Sequence, residues 1–218
     1  MPSRIPALRL APGLPAEGRP LPPDFYTHPN AEYIARALLG KVLCTALEGG
    51  YTSGIIVETE AYKGSGDAAC HSHLGRHTER TAVMYRPGGL AYVYLCYGLH
   101  HLFNIVAGPE GQADAVLVRA AEPLEGLDQM AARRRMAPGN PALLRGPGAL
   151  SQGLGISKAQ NGQSLTQGQI WIEDRGLQLP GEAIRTGPRI GVDYAGADAL
   201  LPWRYWVAGS RYVSAKRS

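Results

Sequence analysis

No apolar run in the 218 residues approaches the roughly 20 that a membrane-spanning helix needs, so no membrane partner is expected. The N-terminal stretch is rich in proline and lacks the apolar core of a signal peptide. Cysteine is scarce. Cys44, Cys70 and Cys96 are scattered and odd in number, which rules out a fully paired disulfide framework and fits a reduced, cytoplasmic setting. Internal repeats are missing, and so is any linker that would divide two cores. A chain of 218 residues is long enough for one well-packed domain and short for two.

What is present reads as globular. Hydrophobic residues make up 44% of the chain, enough for an ordinary core and too many for wholesale disorder. The 28 glycines and 17 prolines point to many turns and irregular loops around a modest sheet. A net charge of +4 (pI about 9.0) suits a phosphate-rich partner without requiring one. The basic residues cluster as Arg133-Arg134-Arg135 and Arg145, then Arg204, Arg211, Lys216 and Arg217.

Taken in order, residues 1–23 form a Pro-rich tail, extended or loosely laid on the surface. Ala31, Ile34, Ala35 and Leu38 then follow helical spacing, with Thr27 or Asn30 to cap and Gly40 to end the helix. Lys41–Leu47 and Gly54–Tyr62 read as a hairpin of strands joined through Glu48-Gly49-Gly50. Lys63–Met84 is a long polar loop, and Leu90–Cys96 and Leu102–Val106 are strands around a turn at Tyr97-Gly98. Ala113–Ala120 reads as a fully buried strand, Glu122–Arg135 as a helix and Ala149–Ile156 as a short apolar turn. Gln169–Glu173 and Arg189–Val192 read as strands, and Arg204–Val207 with Tyr212–Ser214 as a closing pair. The fold class is α+β.

Chemistry gathers between Tyr51 and Asn104. Alternation in Gly54–Tyr62 points Glu58, Glu60 and Tyr62 one way and Ile55, Val57 and Thr59 the other. The two glutamates, about 7 Å apart along a strand, match either the paired carboxylates of a sugar hydrolase or two solvated side chains. Five of the six histidines lie between His71 and His101, yet no zinc-binding spacing occurs among them and Cys70. No zinc-deaminase signature is found either, and hydrogen-bonding or surface histidines are preferred to a metal. Tyr62, Tyr85, Tyr92, Tyr94 and Tyr97 read as sheet core or as faces that stack a nucleobase. Tyr97, at a turn tip, is placed to protrude as a wedge.

Several runs resemble the 3-methyladenine DNA glycosylase family of the alkyladenine (methylpurine) type. They are Ile56-Val57-Glu58-Thr59-Glu60-Ala61-Tyr62, Ala68-Ala69-Cys70-His71-Ser72, Tyr92-Val93-Tyr94-Leu95-Cys96-Tyr97-Gly98 and Phe103-Asn104-Ile105. Further runs are Leu117-Val118-Arg119-Ala120-Ala121-Glu122-Pro123, Gly146-Pro147-Gly148-Ala149-Leu150, Arg189-Ile190-Gly191-Val192 and Gly209-Ser210. The similarity spans Leu38 to Ser214.

The resemblance implies a monofunctional glycosylase that flips damaged purines, 3-methyladenine first, out of double-stranded DNA. The N-glycosidic bond is then hydrolysed by a water that Glu60 activates. Glu58 is left in support, and Arg119 lies by the water and the flipped phosphate. Tyr62 and His71 would wall the base on one side and Tyr94 on the other. Asn104 and a main-chain group near His71 would sense its edge, and Tyr97 would fill the gap in the duplex. No metal and no cofactor are implied. Lys63, a residue that could form a Schiff base, is read as a surface or phosphate contact. The expected protein is a cytoplasmic monomer, nucleoid-associated if bacterial. Its expected domain, residues 24–218, is a curved, largely antiparallel sheet surrounded by helices and long loops.

Overall fold

The computed structural model describes residues 14–48 and 50–214. Its first half contains β1 (Arg19–Pro20), α1 (Pro23–Tyr26), α2 (Ala31–Ala37), β2 (Val42–Leu47) and β3 (Gly50–Tyr62). Then follow β4 (Ala91–Cys96), β5 (His100–Ala107), β6 (Asp114–Glu125), α3 (Leu127–Arg134) and α4 (Pro147–Gly153). The chain closes with β7 (Ile170–Asp174), β8 (Ile184–Gly187) and β9 (Arg204–Val207). All nine strands join one antiparallel sheet, with the main order β1-β7-β2-β3-β6-β5-β4 and with β9 joining β3 to β8. The α+β expectation holds.

β3 is the strand around which the sheet is built. Its 13 residues span about 40 Å at the usual rise, too long for one partner on each edge. β6 covers one edge from Ser53 to Tyr62, while β2 covers Gly50–Ile55 and β9 covers Glu58–Glu60 on the other. The gap between β2 and β9 is closed by main chain. Gly40 N donates to Ile56 O (2.9 Å) and Ile56 N donates to Lys41 O (2.8 Å), so both backbone groups of Ile56 are paired. Ile55, Ile56, Phe103, Ile105, Val116 and Val118 form the centre of the core with Ile34 and Leu38 from the α2 region.

Two irregularities in the β3–β6 ladder matter for the site. Ile56 faces Ala121 and Glu58 faces Ala120, which leaves Val57 extra on β3; Thr59 then faces Val118, which leaves Arg119 extra on β6. Each extra residue is a bulge, and bulges bend the strand and re-aim the side chain they carry. Arg119 is aimed by such a bulge.

The helical reading of residues 31–38 holds, with Asn30 as the cap: its side chain accepts from Tyr33 N (3.0 Å). Four expectations are corrected. The helix expected from Glu122 starts only at Leu127, because β6 runs on to Glu125 along the long β3. Pro123 is tolerated there because β5 pairs β6 only as far as Leu117 and residues 144–145 meet that edge only at Ala120 and Ala121, leaving it open at Pro123. The apolar turn at 149–156 is largely the helix α4, started by Pro147 at its first position. Arg189–Val192 is no strand. β9 pairs with β8 and β3 and not with Tyr212–Ser214. Of the Pro-rich tail, residues 1–13 lie outside the described residues; Arg19–Pro20 joins the sheet beside β7 and Leu21 is buried.

Candidate active site

Glu58 and Glu60 are both fully buried, which removes the reading of two solvated side chains. They share a face, as the alternation required, while Thr59 points away and donates to Ala35 O of α2 (2.7 Å). Arg119 lies between the two carboxylates, its Nε 3.0 Å from Glu58 Oε1 and its Nη1 3.1 Å from Glu60 Oε2. Its Nη2 donates to Ser214 Oγ (3.3 Å). Burial alone would pull the Arg119 pKa down, but Glu60 and Glu58 beside it hold it above the ordinary arginine value.

The two carboxylates differ in how full they are. Glu58 Oε1 accepts from Arg119 Nε, Arg204 Nε (2.7 Å) and Ser214 Oγ (2.8 Å), and its Oε2 accepts from Ser214 N (2.6 Å). A carboxylate offers about four lone-pair sites, and Glu58 takes four hydrogen bonds, three on Oε1 and one on Oε2. Glu60 takes two, on Oε2 from Tyr62 Oη (2.8 Å) and on Oε1 from Ile190 N (2.8 Å), beside its ion pair with Arg119. Glu60 has acceptor capacity left that Glu58 has already used. Burial and then the Glu60 charge push the Tyr62 phenol well above its ordinary pKa, so it stays protonated and donates to Glu60.

The aromatic side chains group beside this cluster. His71 Nδ1 is 2.8 Å from Tyr92 Oη, and the His71 and Tyr94 rings meet edge to face with centroids 4.7 Å apart. Stacked bases lie about 3.4 Å apart, so a base between two rings needs about 7 Å. As they stand, the His71 and Tyr94 rings lie against each other, too close for a base to stack between them. Tyr62 packs on the same small cluster of buried residues from its own strand.

Burial, and then the Arg80 and Arg76 charges, lower the His71 pKa from 6.5 to about 4. The unfolded chain therefore binds this proton more readily than the folded one. The contribution of His71 to stability is complete above about pH 6.5 and is lost as the pH falls from there through about 4. The urea midpoint of the wild type should drop more steeply over that window than that of His71→Gln. Identical slopes would show that His71 is not held neutral.

Asn104 is buried, and its amide nitrogen donates to the carbonyls of Tyr92 (3.1 Å) and Leu102 (3.3 Å). Its Oδ1 carries no hydrogen bond within the described residues. Tyr97 sits at the tip between β4 and β5, 93% exposed, with a positive φ of 50° followed by Gly98 at 69°. Leu99 beside it is also exposed. Lys63 is ion-paired with Glu32 and lies over the Trp203 ring (4.9 Å). The histidines disperse: His100 and His101 line a separate groove of about 540 Å³ with Leu99 and Arg133. Among the described residues no group of three or more His, Cys, Asp or Glu side chains could hold a metal ion.

Several contributors were not foreseen. Arg189, read from its apolar neighbours as part of a strand, is buried against Asp67 through two bonds of 2.6 and 2.8 Å. Its guanidinium lies over the Tyr62 ring (4.7 Å), and the next residue supplies the Ile190 amide to Glu60. Arg204 and Ser214 complete Glu58, and Arg80 lies over Tyr94. Only the positive charges of Arg80, Arg189 and Arg204 in the sequence hinted at them.

Comparison with known proteins places this chain among the DNA glycosylases, hydrolases that act on N-glycosyl bonds. It belongs to the methylpurine-DNA glycosylase family, whose model matches residues 24–211. A protein of Chlamydia felis named "Putative 3-methyladenine DNA glycosylase" is 46% identical over 186 residues, covering 85% of this chain and 94% of that protein. Proteins of the same name from Bacillus licheniformis (45% over 195 residues; 89% and 96% covered) and Myxococcus xanthus (46% over 194; 89% and 93%) are similar. No helix among the described residues is long and apolar enough to cross a membrane.

Proposed function

We propose that this glycosylase excises 3-methyladenine and related damaged purines from double-stranded DNA by hydrolysis, with Glu60 as the base that activates water. One observation carries the assignment: Glu60 takes two hydrogen bonds, whereas its neighbour Glu58 takes four. The names of the relatives supply the substrate class.

In this reading the damaged nucleotide leaves the duplex and its base lies between Tyr62 and the wall made by His71 and Tyr94. Flipping costs a few kcal/mol, least for a damaged pair. Asn104 presents Oδ1 to the base edge. Water attacks C1′ while the glycosidic electron pair departs with the cationic base, which leaves as neutral 3-methyladenine. The water proton passes to Glu60, whose negative charge also stabilises the oxocarbenium-like sugar. Arg119 orients Glu60 from β6. Electron-rich rings favour a cationic base, and a neutral His71 adds no repulsion. With Lys63 held by Glu32 and Trp203, water is the better nucleophile, and the product is an abasic site.

Tyr97 fills the space left in the helix. Tyr97→Ala should lower base release from duplex at subsaturating enzyme by roughly 10- to 100-fold, as expected for a wedge that offsets unstacking. The melting temperature should not change, because the side chain touches little of the fold. A drop in release below threefold would remove the wedge. Residues 24–218 are proposed as the catalytic domain, acting as a monomer in the compartment that holds the DNA: the cytoplasm, on the nucleoid if the cell is bacterial.

The whole reading is tested by incubating the protein with duplexes carrying 3-methyladenine, hypoxanthine or ethenoadenine, with EDTA present. Free base should appear first from 3-methyladenine, with the sugar–phosphate strand uncut. Tight, salt-dependent binding without base release would leave a lesion-binding protein.

A further inference from the structure

The rings that would receive the base are already held by a side chain of this protein. Arg80 projects from the loop between β3 and β4 and lays its guanidinium over the Tyr94 ring, 4.4 Å from the centroid. Its Nη2 lies 3.0 Å from His71 Nε2 and 3.4 Å from Nδ1. Arg80 thus lies on the wall that His71 and Tyr94 make together, and Glu60 is fully buried. No carboxylate of the described residues forms an ion pair with Arg80. Its place depends on the aromatic group alone.

The main chain around it is fixed. Thr81 is buried; its hydroxyl donates to Arg76 O (2.9 Å) and accepts from Thr78 N (2.8 Å). Arg80 itself is exposed. The side chain can therefore leave the rings without unravelling the loop.

We propose that Arg80 is a displaceable bolt on the base pocket, a specificity-determining residue that every flipped purine has to push aside; this rests on the glycosylase reading above. The guanidinium is a planar, delocalised cation, and it makes with Tyr94 the contact that an alkylated, positively charged purine would make. When such a purine displaces it, one cation–π contact replaces another. A neutral purine brings no charge, and the exchange runs at a loss. Apparent affinity falls by the fraction of protein that is bolted, and the loss falls on neutral bases. Arg80 thereby widens the preference for cationic lesions by penalising their competitors, a form of discrimination that acts against the wrong ligand.

The test compares Arg80→Ala with wild type in single-turnover release, at subsaturating enzyme, from duplexes carrying 7-methylguanine (cationic) or hypoxanthine (neutral). Release of hypoxanthine should rise roughly 3- to 10-fold, the worth of an exposed to partly desolvated cation–π contact, while release of 7-methylguanine changes less than about 2-fold. Arg80→Lys, which keeps the charge and loses the planar fork, should give an intermediate ratio. Without DNA, the His71 ring signals in NMR should move in Arg80→Ala while the other histidines stay in place. An unchanged ratio of the two rates overturns the proposal. So does a parallel fall of both, which would make Arg80 a DNA contact. If wild type releases no base from a 3-methyladenine duplex run in parallel, the glycosylase reading fails and this inference with it; an unchanged ratio, or release of neither test base, on a wild type active on 3-methyladenine sinks the bolt alone.

Discussion

Glu60→Gln should slow release of 3-methyladenine by roughly 10²- to 10⁴-fold, the usual worth of a positioned general base, while the lesion duplex is still bound within a few-fold of wild type. The substitution keeps shape and the contacts to Ile190 and Tyr62, and gives up the ion pair with Arg119. Its amide oxygen can accept from Ile190 N as Glu60 Oε1 does, and the Tyr62 hydroxyl can turn to accept rather than donate. Arg119 keeps the Glu58 carboxylate as a full counter-charge, so the fold survives. What is lost is the negative charge under the sugar and the site that takes the water proton. Single-turnover release and equilibrium binding on the same duplex separate the two effects. Base release at the wild-type rate would take Glu60 out of the chemistry.

The neighbouring glutamate should behave in the opposite way. Glu58→Ala removes the shared partner of Arg119, Arg204 and Ser214, leaving one guanidinium buried and another mostly so. Breaking one side of a buried ion pair costs about 3–5 kcal/mol, which for a domain of this size lowers the melting temperature by on the order of 10 °C. Arg119 still has Glu60, and the network around Glu58 is what ties β9 and Ser214 to the central strand. Calorimetry measures this directly. A loss below about 1 kcal/mol would mean that the network contributes little.

The contrast between the two glutamates marks where the sequence stops being readable. Alternation along β3 placed Glu58, Glu60 and Tyr62 on one face because side-chain direction in a strand is local. Tyr97-Gly98 was legible as a turn tip for the same reason, and so was α2 with its Asn30 cap. Which glutamate is the more heavily hydrogen-bonded depends on Ile190, Arg204 and Ser214, brought back to β3 from more than 120 residues away. The resemblance to a known family singled out Glu60, which no spacing could have done. Arg119 reaches both carboxylates through a bulge, and a bulge is a property of paired registers, invisible in one strand. Glu122–Leu124 carried a helical pattern, yet the unpaired edge of β3 claimed these residues for the sheet, a case of tertiary pairing overriding local propensity. Arg189 was hidden by apolar neighbours that read as a strand, whereas its partner Asp67 lies in the loop after β3.

Attack by water, and not by an amine of the protein, is the step on which the mechanism depends. A 3-methyladenine duplex would be cleaved under single-turnover conditions with borohydride present. Hydrolysis through Glu60 leaves no protein–DNA adduct for borohydride to trap. A trapped adduct, or one that disappears when Lys63 is replaced, would show attack by an amine and contradict activation of water by Glu60.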